Sequence, residues 1–134
     1  MITALILFCA MATHDGRIEL RQAPATVTLK LGSERAHALA VARDPKRHLM
    51  LRMEGISVEG DVGLWEVRIG DRVAGTLSTY GAEESNGKYI AAVPLDEAAL
   101  ASLRGGAKSL AITFAPATRA SGTIRIQRLR LVEE

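Results

Sequence analysis

Short runs of alternating apolar and polar residues dominate the chain from residue 17 onward. In residues 64–69 (LWEVRI), Trp65, Val67 and Ile69 share one face of an extended chain, and the charged residues lie on the other. Residues 26–31 (TVTLKL) repeat this period of two. Such a period is typical of a β-strand with one buried and one solvated face. The chain is therefore predicted to consist mainly of half-buried strands.

About eight strands separated by turns follow from this alternation. Residues 64–77 indicate a hairpin that turns at Gly70-Asp71. Residues 33–43 predict either a short helix or a compact loop, and a second short helix is predicted to begin at the cap Asp96 and to end before Gly105-Gly106. The other predicted strands are residues 17–20, 49–53, 89–93, 109–115 and 123–132.

The fold class predicted from these elements is all-β, as a sandwich or a barrel, with residues 17–134 as one domain. Aromatic residues make up only 4% of the chain, so the core must be built mainly from aliphatic side chains. The predicted core residues are Leu49, Leu51, Met53, Trp65, Val67, Ile69, Ile112, Phe114, Ile124 and Ile126.

The last predicted strand changes phase part-way along its length. Ile124 and Ile126 lie on one face, whereas Leu129 and Leu131 lie on the other. A β-bulge near Gln127-Arg128 would restore a single buried face. A strand that passes from one sheet to the other would do so equally well.

An apolar segment, residues 2–12 (ITALILFCAMA), precedes the domain, within residues 1–16. It is shorter than the ~20 residues that a membrane-spanning helix needs, so a membrane protein is not expected. Three interpretations remain: a signal peptide, which would imply a secreted or periplasmic protein, a leading strand, or a leftover interdomain segment. The single cysteine, Cys9, excludes an internal disulfide and is interpreted as a small buried hydrophobe.

Charge excludes one class of partner. The net charge is +2, and acidic residues are interleaved with basic ones, without the dense basic block that nucleic acids attract. We therefore expect no nucleic-acid partner. The arginines near the C-terminal end are interpreted as the solvated side of the last strands: Arg119, Arg125, Arg128 and Arg130.

No motif in the sequence predicts catalysis. The three histidines, His14, His37 and His48, lack the close spacing of metal ligands, and no nucleophile elbow or phosphate-binding loop occurs. We predict no catalytic residue, metal site or cofactor. One recognition surface is considered, formed by Tyr80, Asn86 and Tyr89 around the polar loop 81–88. Packing at the strand ends is the alternative for the two tyrosines.

Four segments in order carry a family resemblance: 26–31 (TVTLKL), 49–70 (LMLRMEGISVEGDVGLWEVRIG), 74–81 (AGTLSTYG) and 110–134 (LAITFAPATRASGTIRIQRLRLVEE). With their EGI, LSTYG and TFAP islands, they resemble the C-terminal domain that follows the copper-binding domain in bacterial tyrosinases and plant polyphenol oxidases. The resemblance covers residues 17–134.

This resemblance implies a jelly-roll-like β-sandwich that lies over a dinuclear copper site, keeps the enzyme latent and assists copper loading. It assigns six histidine ligands to the catalytic domain, so oxidase activity does not carry over to this chain. The expected partner is a type-3 copper oxidase on a separate chain. Two alternatives stay open: a free-standing sandwich that binds a carbohydrate or another small ligand, and an oligomerising structural domain in which the N-terminal strand pairs with a second copy.

Overall fold

In the described part of the chain, nine strands form two antiparallel sheets. A computed structural model describes residues 17–32, 34–79 and 87–134. The strands are β1 (Ile18–Leu20), β2 (Ala25–Lys30), β3 (Leu49–Glu59), β4 (Leu64–Ile69), β5 (Arg72–Ser78), β6 (Tyr89–Pro94), β7 (Ser109–Pro116), β8 (Thr123–Ile126) and β9 (Arg128–Glu133). The helices are α1 (Arg35–Arg43) and α2 (Glu97–Arg104).

Successive strands along the chain mostly belong to different sheets. One has five strands in the order β1-β8-β3-β6, with β9 also paired to β3, and the other has four in the order β2-β7-β4-β5. Apart from the β4–β5 hairpin and the β8–β9 step, every connection between successive strands passes between the sheets. The predicted all-β sandwich is confirmed. The predicted barrel alternative is wrong, because the two sheets keep separate strand orders.

The core lies between the sheets and is almost entirely aliphatic. All ten residues that the alternation assigned to it are 5% exposed or less. Trp65 is the largest of them, and its indole Nε1 donates to the carbonyl oxygen of Val62 at 2.9 Å. A buried indole N–H needs such a partner, so this bond allows the ring to lie wholly inside.

The two helices pack against each other and adjoin β3 and β9 through α1. Residues 35–43 are helical, which decides between helix and loop in that segment. Asp96 caps α2 as predicted, because its carboxylate accepts the amide of Ala99 at 2.9 Å. This bond, together with one from Arg72 Nε at 2.7 Å, holds the pKa of Asp96 below its usual value.

The phase change in the last strand is explained by a matching change in β3. Both β8 and β9 pair with β3 in one continuous register, so the strand stays in one sheet and the alternative in which it changes sheets is wrong. The buried positions of β3 switch from Met53 to Ile56, just as those of the last strand switch from Ile126 to Leu129. Gly55 and Gln127 lie between these positions, and Gly55 has φ +67°.

Residues 1–16, with Cys9 and His14, lie outside the described residues, as do Tyr80 and Asn86. The interpretations of the N-terminal segment therefore stay predictions. Within the part of the chain that the structure describes, neither helix has the length and apolar character needed to cross a membrane.

Candidate functional site

The outer face of the five-stranded sheet carries most of the charge that the strands expose. Strand alternation sends the residues between the buried positions outward, and the register aligns them across β1, β8, β9 and β3. We call this surface the arginine face. It comprises Glu19, Arg52, Glu54, Glu59, Arg125, Arg128 and Arg130.

Three arginines converge on one carboxylate at the centre of this face. The Glu54 carboxylate lies 3.4 Å from Arg52 Nη1, 3.8 Å from Arg128 Nη1 and 3.5 Å from Arg130 Nη1. Its side chain is 19% exposed, whereas those of Arg128 and Arg130 are 50% and 47% exposed. These four residues are called the Glu54 cluster. Its one negative charge faces three positive charges.

The paired phase change positions this cluster. Glu54 lies directly opposite Arg128. In sequence Glu54 is followed by Gly55, and Arg128 is preceded by Gln127. A Cβ atom on Gly55 would lie 2.8 Å from the Cβ of Gln127, so only glycine allows the two strands to approach this closely here. The amide of Gln127 donates to the Glu54 carbonyl oxygen at 3.0 Å. The backbone is therefore held at the point where the charged side chains meet.

A polar depression of about 350 Å³ opens beside the cluster. Its walls include Arg17, just before β1, together with Glu54, Gln127 and Arg128. Arg17 adds a fourth guanidinium group to the surroundings of Glu54. A second cavity of about 330 Å³ is lined by Leu29, Leu31 and Glu34 together with residues 128–131 of β9.

The remaining charges of the arginine face are more nearly balanced. Arg125 lies 3.1 Å from Glu19 and 3.6 Å from Glu59. Strand β6 lies at the edge of the same face. Its Ala92 lies opposite Arg52, and Ile90, two residues earlier, points to the same outer side and is 51% exposed. An exposed apolar edge therefore borders the charged centre.

The outer face of the four-stranded sheet has a different composition. Among the described residues it carries mainly neutral side chains, the exposed Lys30, the exposed apolar Leu64 and Val73, and one ion pair, Glu66 to Arg68 at 2.8 Å. The Oγ1 atoms of Thr26 and Thr113 are 2.8 Å apart across β2 and β7. We call this surface the threonine face. It comprises Thr26, Thr28, Lys30, Leu64, Glu66, Arg68, Val73, Thr76, Ala111, Thr113 and Ala115.

Of the predicted recognition surface, only Tyr89 is described. It begins β6, packs against the core and donates its hydroxyl to the Ser78 carbonyl oxygen at 3.1 Å. These contacts fit the strand-end packing that was the alternative for this tyrosine. Recognition by Tyr80, Asn86 and Tyr89 stays a prediction.

The histidines in the described ranges do not belong to any group of three or more potential metal ligands. His37 Nε2 lies 3.4 Å from Glu133, and Arg47 Nη2 lies 2.6 Å from the same carboxylate. The Arg47 hydrogen bond holds the pKa of Glu133 below its usual range. Within residues 17–32, 34–79 and 87–134, no three His, Cys, Asp or Glu side chains could hold a metal ion.

Sequence reasoning identified three of the face's arginines but not the cluster. Arg125, Arg128 and Arg130 lie on the outer side of β8 and β9 as predicted, whereas Arg119 lies in the β7–β8 loop and not in a strand. Arg52 and Glu54 were missed as partners of these arginines. The opposed alternations of LMLRME and RLRLVE were the available signal, and they required knowledge of the strand register.

Comparison with known proteins locates the fold. No protein-family model matches the chain, and neither does the sequence of any curated protein. Solved structures do match. A recombinantly expressed latent aurone synthase (polyphenol oxidase), co-crystallized with hexatungstotellurate(VI) and soaked in H2O2, is 13% identical with a TM-score of 0.57, covering 87% of this chain and 25% of that one. The fold is shared with polyphenol oxidases.

A latent apple tyrosinase shows the same likeness, with 16% identity and a TM-score of 0.55, over 93% of this chain and 30% of the tyrosinase. The resemblance inferred from the strand order is thereby confirmed at the level of the fold. This chain spans between a quarter and a third of the length of the two oxidases.

Proposed function

We propose that this domain is a non-catalytic partner of a type-3 copper oxidase, shielding the oxidase's copper site or assisting its maturation from a separate chain. The observation that supports this most is the fold, which matches about a quarter of the length of latent polyphenol oxidases. Those enzymes are described as latent, and a domain that covers an active site is one physical cause of latency. In this proposal the same fold acts in trans.

The histidine content also supports a partner role. The whole chain has three histidines, whereas the family resemblance assigns six copper ligands to the catalytic domain. In our proposal the copper and its ligands therefore belong to the oxidase. This chain contributes surface: the charged and apolar side chains that meet the oxidase near the mouth of its site.

A carbohydrate-binding role has less support. Sugar rings stack on exposed aromatic faces, and the only tryptophan of the chain, Trp65, is 0% exposed. An oligomerising domain has no specific observation in its favour. We keep both as outcomes of the test below.

The test begins with capture of the tagged chain from its native host at native expression level, followed by mass spectrometry. We expect recovery of an oxidase that carries six histidines in copper-binding motifs. The purified oxidase is then assayed for diphenol oxidation and for copper content, with and without this chain. A shield lowers the rate until it is removed, whereas a maturation factor raises the copper content.

The control is an unrelated β-sandwich of similar size and charge carrying the same tag. Recovery of the bait alone, or an oxidase whose rate and copper content do not respond, would contradict the proposal. A tetrameric or dimeric bait without partner would instead support the oligomerising alternative.

A further inference from the structure

We propose that the Glu54 cluster is a docking site for an extended, acidic segment of a protein partner, whose carboxylates join Glu54 as counter-ions of the arginines. This deepens the proposed function by naming the docking face. It rests on that function only for the identity of the partner, because the chemistry of the site itself is independent of which protein carries the segment.

The first argument is a like-charge pair built into the sheet. Arg52 on β3 and Arg130 on β9 are direct cross-strand partners on the same outer face. Side chains in this relation have Cβ atoms about 5 Å apart, and like charges there repel each other. Only Glu54 lies close enough to offset both within the cluster. The arrangement costs stability in the free domain, and an added anion would offset that cost.

The second argument is a surplus of hydrogen-bond donors. Three guanidinium groups carry about fifteen N–H donors, whereas one carboxylate offers about four acceptor positions. Among the described residues the buried Nε atom of Arg52 has no hydrogen-bond partner, so Glu54 does not satisfy every donor of this guanidinium group. A carboxylate oxygen is the acceptor that guanidinium groups bind best.

The third argument is spacing. Arg128 and Arg130 are two residues apart on an extended strand, which separates their Cα atoms by about 6.8 Å. An extended peptide with an acidic residue at every second position has the same repeat. The depression beside Arg17 and Arg128 offers room for one such side chain, and exposed Ile90 offers an apolar contact at the sheet edge.

Charge distribution favours a protein segment over a uniform polyanion. Glu19 and Glu59 flank Arg125 on the same face, so a continuous row of phosphates that extended from the cluster to Arg125 would meet carboxylates there. The whole chain carries only +2, which is weak attraction for nucleic acid or for an anionic membrane. A segment with separated carboxylates matches the separated arginines.

Binding is tested on the full chain with a capped six-residue peptide of alternating glutamate and serine. Isothermal titration calorimetry gives the Kd, and amide shifts in ¹H–¹⁵N NMR spectra locate the site. We expect binding that weakens as NaCl rises from 0.05 to 0.5 M, with shifts centred on residues 52–54 and 127–130. A capped peptide of glutamine and serine is the neutral control.

Two sets of substitutions make the test specific. Arg128→Gln with Arg130→Gln should weaken binding about tenfold, because two charge-assisted contacts are lost. The control pair Arg21→Gln with Arg68→Gln removes the same charge elsewhere and should change Kd less than about twofold. Glu54→Gln should tighten binding, since the competing internal carboxylate is gone. Thermal melts of all variants identify any that have failed to fold.

Inorganic phosphate, single-stranded DNA and vesicles containing phosphatidylserine are titrated in parallel. Binding to one of these but not to the peptide, an equal loss in both arginine pairs, or no binding at all would overturn the docking site. If the oxidase is captured equally well by the wild type and by the Arg128→Gln, Arg130→Gln variant, the docking site is wrong and the proposed function stands. If the peptide binds as expected and no oxidase is recovered, the docking site stands and the proposed function is wrong.

Discussion

The arginine face concentrates its charge on β3, β8 and β9, whereas the threonine face carries mainly neutral side chains, with Lys30 and one ion pair. Both are outer faces of antiparallel sheets, so the sandwich itself does not require the difference. Threonine and alanine fill a solvated sheet surface without leaving repulsive contacts. The Glu54 cluster keeps a repulsive contact, Arg52 opposite Arg130, at the centre of its sheet. The contrast teaches that one face is shaped for more than solubility.

The largest expected effect comes from the glycine that allows the charged strands to meet. Gly55→Ala should lower the free energy of unfolding by about 3 kcal/mol, because the new Cβ meets Gln127 and the backbone has positive φ. Gly70→Ala is the matched control, since Gly70 has the same φ of +67° with nothing within 4 Å. Urea unfolding measures both, and equal losses would show that strain alone is responsible.

Removal of the shared carboxylate should have the next largest effect. Glu54→Gln leaves three arginines without their counter-ion, so we expect a loss of about 1–2 kcal/mol at low salt. Glu66→Gln on the threonine face removes a single exposed pair and should cost about 0.5 kcal/mol or less. The gap should narrow in 1 M NaCl, because salt screens the repulsion. A gap independent of salt would contradict the electrostatic explanation.

Acid should destabilise the cap of helix α2. The pKa of Asp96 is lowered in the folded state, mainly by the hydrogen bond from the Ala99 amide and to a smaller extent by the one from Arg72. Its stabilising contribution is therefore present above its unfolded pKa, near 3.8, and is lost as pH falls through the lower folded value. Asp96→Asn should flatten the decline in stability below pH 4, measured by thermal melts. An unchanged decline would assign it to other carboxylates.

The smallest effect is expected on the threonine face. Thr26→Val with Thr113→Val removes both hydroxyls of one hydrogen-bonded pair and leaves no unpaired partner. We expect a change of about 0.5 kcal/mol or less in the free energy of unfolding and no change in peptide affinity. A large loss in either measurement would show that this face is not a passive surface.

Periodicity predicted most of the fold because each strand buries one face. It predicted the phase change near Gln127, since Ile126 and Leu129 cannot share a face of a regular strand. It did not reveal that β3 changes phase opposite to it, although Met53 and Ile56 carry the same signal. The sequence of one strand shows where its buried positions must change phase. Which other strand changes phase opposite to it depends on the strand pairing, which exists only in the folded sheet.

The candidate site was harder to predict for the same reason. Glu54 and Arg130 are 76 residues apart, and nothing in either segment alone indicates their contact. The arginines were correctly placed on a solvated surface, where isolated charges carry no signal. Their convergence becomes visible only when the register sets one carboxylate among three guanidinium groups.

The position of the last strands also governs how the chain folds. β8 and β9 both pair with β3, so the five-stranded sheet joins residues 49–59 to residues 123–133. Closing so long a loop before any contact forms is slow, and such topologies fold in milliseconds to seconds. During synthesis β3 leaves the ribosome long before its neighbour, with an apolar face and an open edge exposed. This domain is therefore prone to aggregate during synthesis until residues 123–133 have been made and have paired with β3.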